Sequence, residues 1–187
     1  MYHSKNERGF FLIMSAIDLA ILGMIIEQPR SAYELQKDVQ YHQFSRWSKI
    51  ATPTIYQNVH RLENKGYLQS EQLLGEKGVE RPVYSITDQG RGYFMQLMTQ
   101  YVEQQIAFLF DFNIVITNLD KISQTDARLL LNKLQQNIIN SADMNKKTAA
   151  EYPDIPMVGL AIFQQQQQLY KSLLVWLTQF ITDFEVE

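Results

Sequence analysis

Between Ser15 and Gly90 the chain changes its hydrophobic period twice, and few folds accommodate that order. Ser15-Ala-Ile-Asp18 has the hydroxyl and the acid spaced as a capping box, and residues 19–26 follow it apolar nearly all round. A helix of that kind belongs inside a core. Gln28-Pro29 stops it. Ser31-Ala-Tyr-Glu34 repeats the box and opens a short helix to about Tyr41. Thr52-Pro53 marks a third start, with threonine as N-cap and proline at the first helical position, where its missing N–H costs nothing. That helix continues to Lys65, and Gly66 closes it where a left-handed residue is wanted. The period then falls to two. Residues 67–74 and 83–86 read as strands joined by the charged turn 75–82, which predicts a β-hairpin. After Thr87-Asp-Gln-Gly90 the helical period returns, with Tyr93, Phe94, Leu97, Met98, Tyr101 and Val102 on one stripe. Helix, helix, helix, hairpin, helix is the winged helix order.

Beyond residue 91 no strand signal remains. Ser123-Gln-Thr-Asp126 is a further capping box, and residues 152–156 carry two prolines and break the helical pattern. A last helix over 157–184 lines Leu169, Leu173, Trp176, Leu177, Phe180 and Phe184 along one face. A face of that length is too large to leave in water, so these six are expected to form a dimer interface. The five glutamines 164–168 read as a solvated or helix-bridging segment. The expected fold is mainly α with a small β-hairpin wing: an N-terminal arm (1–14), a winged helix-turn-helix domain (15–90), then a linking helix and a helical C-terminal dimerisation domain (91–187).

Charge and composition narrow the function. The net charge is −3, and residues 1–90 hold 10 Lys/Arg against 10 Asp/Glu, while residues 91–187 hold 7 against 10. Nucleic acid could be held only through a local positive cluster, not by bulk charge. There is no cysteine, which excludes disulfides, thiolate nucleophiles and cysteine-ligated metals and fits a cytoplasmic setting. The apolar run from Phe10 to Ile26 superficially resembles a signal peptide, but Asp18 and Gly23 interrupt it, Glu27 closes it and no small-x-small site follows. A core helix is expected there, with no membrane contact. His3, His42 and His60 are far apart, so no metal site is expected. Gly75-Glu-Lys-Gly78 lacks the length and the Ser/Thr of a phosphate loop, and no nucleophile–base pair stands out. Neither enzymatic activity nor a cofactor is expected.

Several stretches resemble the PadR family of bacterial transcriptional regulators in order and spacing. They are Leu19-Ala-Ile-Leu-Gly23, Ser31-Ala-Tyr-Glu-Leu35, Thr54-Ile-Tyr56, Leu62-Glu-Asn-Lys-Gly66-Tyr-Leu68 and Arg81-Pro-Val-Tyr-Ser-Ile-Thr87-Asp-Gln-Gly90. Together they cover about residues 16–95. The helical back half is similar to the longer, AphA-like branch, whose terminal helices make the dimer. Ala32 stands where the family usually has glycine, and Gln57 where it usually has proline. The resemblance implies a homodimer on double-stranded DNA with an inverted-repeat operator, acting as a repressor.

In a helix-turn-helix the second helix of the unit enters the major groove. Here Thr52, Thr54, Gln57, Asn58 and Arg61 offer groups for base edges: amides for adenine, the guanidinium for guanine, threonine methyls for thymine. Lys49, with His60 and Lys65, adds positive charge. Lys77 and Arg81 at the wing would reach the backbone or minor groove. The resemblance adds Tyr33 and Tyr56 as phosphate contacts. It also suggests that Phe108, Phe112, Phe163 and Trp176, near Phe110 and Phe180, line a site for a small aromatic or lipophilic effector. The alternative is that these rings are dimer core. The competing function is a winged helix used for protein–protein contact without DNA, which would present an apolar patch on the third helix.

Overall fold

The structure is a computed structural model that describes residues 6–41, 55–74, 78–152 and 154–184, with side chains from residue 16 onward. It divides into two compact units, residues 1–106 and 107–187.

In the first unit, α1 (Asn6–Glu27) is the central element. It starts nine residues before Ser15, so the expected cap lies inside the helix and residues 6–14 are helical rather than an arm. A capping-box spacing has no force mid-helix, where the backbone N–H it would satisfy already has a carbonyl one turn back. Ile17, Ile21, Leu22 and Ile25 of α1 are buried with Leu35 and Val39 of α2 (Ala32–Tyr41). Val59 and Leu62 of α3 (Ile55–Asn64) join them, with Leu97 of α4 (Asp88–Val102). The box at Ser31 forms as expected: its backbone N–H and hydroxyl donate to Glu34 Oε2 at 2.8 and 2.7 Å.

The wing is a hairpin of β2 (Leu68–Leu74) and β3 (Glu80–Ile86), seven antiparallel pairs long. A two-residue strand, β1 (Arg30–Ser31), pairs with the other side of β3 at Tyr84 and Val83. Two residues are too few to show any period, so the sequence pattern could not announce it. The second strand also extends three residues beyond expectation, through Pro82. β1 ends opposite Val83, leaving Pro82 open on that side, and a residue without an N–H is tolerated at such an edge. Gly66 takes φ +75° and ends α3, as its position required. Gly90 lies where α4 meets the chain leaving α3: a Cβ there would stand 2.0 Å from the Tyr67 carbonyl oxygen.

The sequence places the linking helix with the C-terminal half, from residue 91 onward. Instead α4 stops at Val102, packs on α1 through Leu97 and belongs to the first unit. Leu97 is the buried member of its stripe, whereas Met98 and Val102 stay exposed. Phe112 opens a separate short helix, α5 (Phe112–Ile116).

The second unit is built on α6 (Gln124–Ala150) and α7 (Met157–Phe184). Ser123 caps α6 as expected, its hydroxyl accepting from Asp126 N–H at 3.1 Å. Gln135 donates to Thr178 and Asn145 to the Phe163 carbonyl, at 3.3 and 3.0 Å, so the two helices run antiparallel. Asn145 also reaches Gln167 at 3.4 Å, which makes part of the glutamine run a helix bridge. Of the six residues expected at a dimer interface, Leu177 is buried within the chain, Trp176 is exposed and the other four are half-buried. Leu177 is 0% exposed against Leu131 and Ile138 of α6, and Leu173, Phe180 and Phe184 flank it. An amphipathic stripe announces that it will be buried, not by which partner. Leu177→Ala should therefore destabilise this unit by about 2–5 kcal/mol, read from the loss of helical signal in chemical denaturation.

Candidate nucleic-acid interface

The third helix divides its residues between core and solvent by simple spacing. Ile55, Asn58, Val59 and Leu62 recur at i, i+3, i+4 and i+7 and are buried. Tyr56, Gln57, His60 and Asn64 are exposed. Of the residues expected on DNA, Lys49, Thr52, Thr54 and Lys77 lie outside the described residues. Tyr56 and Gln57 are exposed on α3 as expected, and Tyr33 is exposed on α2 with the Lys37 ammonium 4.6 Å above its ring.

Two expected base contacts turn inward. Asn58 is buried, because it sits between Ile55 and Leu62 on the core face. Arg61 reaches Asp18 on α1 through Nη2, which also donates to Asn58 Oδ1 at 3.0 Å. Asp18 is 2% exposed, and the Tyr93 hydroxyl on α4 donates to its Oδ2 at 3.3 Å. A carboxylate taken out of water requires a counter-charge, and Arg61 is the one within reach. Burial pushes the Asp18 carboxyl above its ordinary value although Arg61 and Tyr93 pull it down. The Tyr93 hydroxyl is pushed up to about 12, first by burial and then by the neighbouring Asp18 charge. The signal in the sequence for this network is the lone charge within the apolar run Phe10 to Ile26, which a capping-box acid also explains.

The wing arginine is also engaged. Arg81 donates from Nη2 to Glu34 Oε1 at 2.9 Å and from Nη1 to Ser31 Oγ at 3.5 Å, which ties β3 to the start of α2. For Glu34 the burial effect works upward, but the Ser31 bonds and the Arg81 charge outweigh it and hold the carboxyl below its ordinary value. His60, noted from sequence only as added charge, is the exposed centre of the α3 face. Its side chain is 65% exposed, with Nδ1 3.6 Å from Glu63 Oε2.

The aromatic residues do not assemble as one site. Phe112 stacks on Phe110 and Trp176, at ring-centroid distances of 5.1 and 6.1 Å, and Trp176 continues to Phe180 at 5.9 Å. Phe163 is instead beside Tyr152 at 6.4 Å, thirteen residues before Trp176 and so roughly 20 Å along α7. Phe108 is exposed. Among the described residues no group of His, Asp or Glu could hold a metal ion, and no helix is long and apolar enough to cross a membrane.

Residues 21–96, from the middle of α1 to the middle of α4, match the transcriptional regulator PadR-like family. Those residues thus form a PadR-like domain. PadR-family regulators are DNA-binding proteins and not enzymes. The fold agrees with solved members. Bacillus subtilis PadR in complex with operator DNA is 16% identical, with a TM-score of 0.69 over 90% of this chain and 99% of that one. The same protein in complex with p-coumaric acid is 14% identical, with a TM-score of 0.72 over 92% and 97%. The Vibrio cholerae virulence activator AphA is 16% identical, with a TM-score of 0.61 over 90% and 98%. At these identities the likeness is one of fold, and it extends through the helical half of this PadR-like chain.

The depressed Glu34 carboxyl has a pH consequence. Its bonds to Ser31 and Arg81 stabilise the domain above about its unfolded value of 4.5 and are lost as pH falls through the lower folded value. Glu34→Gln should flatten the acid limb of the thermal midpoint measured against pH. Arg81→Ala should do the same while costing under about 1 kcal/mol at pH 7, because both side chains of the pair are more than a third exposed.

Proposed function

We propose that this PadR-like regulator is a homodimer that binds double-stranded DNA at an inverted-repeat operator through α3 and the wing, and acts as a repressor in the cytoplasm. The observation that carries the reading is the outward face of α3. It presents Gln57, His60 and Asn64 with a single amphipathic ring, Tyr56, beside a solvent-exposed hairpin. A protein-contact surface would want an apolar patch there, and α3 has none. Bacillus subtilis PadR, of the same fold, forms a complex with operator DNA.

Dimerisation is supported by apolar groups that one chain leaves in water. Leu129, Leu130 and Met144 on α6 and Val158 and Val175 on α7 are exposed, which a soluble monomer seldom tolerates in such number. A two-fold dimer also doubles the phosphate contacts and matches an inverted repeat. Bacillus subtilis PadR also forms a complex with p-coumaric acid, which supports a small aromatic effector for this chain. The effector would act by binding the DNA-competent and incompetent arrangements unequally.

The purified protein should sediment as a dimer and bind duplex DNA from upstream of its own gene more tightly than a scrambled duplex, with affinity falling steeply as salt rises. Equal affinity for both duplexes would sink sequence specificity. Leu129→Glu with Met144→Glu should give a folded monomer with operator affinity reduced at least tenfold, read by sedimentation, circular dichroism and gel shift together. Titrating p-coumaric acid into the protein–operator complex tests release; affinity unmoved at saturation would remove that part.

A further inference from the structure

Three helices meet at Asp18: its own α1, α3 through Arg61, and α4 through Tyr93. Asp18 is buried, and the Arg61 side chain is 26% exposed with its Nη2 shared between Asp18 and Asn58 Oδ1. Drawing Arg61 out to a base would strand a buried carboxylate without a counter-charge, a strongly unfavourable state. The outward stripe of α3 is instead Gln57, His60 and Asn64, spaced by three and then four residues. Seven residues at 1.5 Å each span about 10 Å, roughly three base steps of about 3.4 Å.

We propose that Asp18 is a positioning residue that withholds Arg61 from DNA, and that Gln57 and His60 are the base-reading residues of α3. The inference rests on the DNA-binding reading above. The Gln57 carboxamide carries the adjacent donor and acceptor that match N6 and N7 of adenine, and the His60 imidazole offers an N–H to an acceptor such as N7 or O6 of guanine. His60 is also held in place. Its Nδ1 faces Glu63, and its ring stands edge-on to Tyr84 of the central strand at a centroid distance of 6.4 Å. Glu63 is fixed in turn by the Ser70 hydroxyl of β2, so the wing orients a reader on α3. Burying Asp18 carries a desolvation cost that Arg61 and Tyr93 offset only in part.

The test is enrichment from a pool of randomised duplexes by the full-length protein and its variants, with folding checked by thermal melts. The wild type should enrich a motif, and Arg61→Ala should enrich the same one. Gln57→Ala and His60→Ala should each lose preference at one position per half-site, on the order of tenfold. Asp18→Asn frees the guanidinium, so affinity for all duplexes should rise and the slope of log affinity against log salt should steepen by about one. Should Arg61→Ala fail to fold because Asp18 is stranded, Asp18→Asn with Arg61→Ala removes both charges and should recover the wild-type motif. Loss of a base preference in Arg61→Ala or the double variant, with the motif intact in Gln57→Ala and His60→Ala, would overturn the assignment. A wild type that enriches no motif at all would defeat the DNA-binding reading itself, and this one with it.

Discussion

A helix that is apolar on every side has one stable place, and the first unit is arranged to provide it. The third and fourth helices and the central strand each pack on α1, α2 joins the same core, and Ile21 and Leu22 reach full burial. That demand sets which face of α3 turns inward, and so which side chains are left for a partner. Asp18, the buried charge of α1, carries the constraint further. Asp18 cannot be buried alone, so it holds Arg61, and the pose of the third helix follows from the first.

Local chemistry was legible in the sequence and distant pairing was not. The boxes at Ser31 and Ser123, the left-handed Gly66, the hairpin and the span of α7 all stood in the residue order, because each is decided within a turn or two of chain. The inward turn of Asn58 was also readable, since it shares the spacing of Ile55 and Leu62. The destination of Arg61 was not. Its partner lies 43 residues away, and Asp18 had a plausible local role as a capping acid. The same limit applies to α7. Its apolar stripe is real, but only the fold reveals that Leu177 meets α6 of the same chain.

Three arginines of the first unit share a pattern that bears on a chain of net negative charge. Arg30 pairs with Asp38 at 2.6 Å, Arg61 with Asp18 and Arg81 with Glu34. Each ties an element to another one: β1 to α2, α3 to α1, the wing to α2. Guanidinium groups suit this task because their planar fork can engage two acceptors at once, as Arg61 does. Lys37 and Lys65, both exposed, are left to supply positive charge to the solvent side.

Gly90 adds a different kind of constraint. Its backbone passes so close to the Tyr67 carbonyl that the smallest side chain would collide with backbone, which cannot swing aside. Most of β2 and the outer face of α4 are in water and can change residue at little structural cost. Over evolutionary time, then, this stretch of chain is free to diverge on either side of a single fixed point. A descendant that altered its DNA preference through α3 would still carry that glycine, and one that lost it would have to rebuild the junction between wing and helix before it could change anything else.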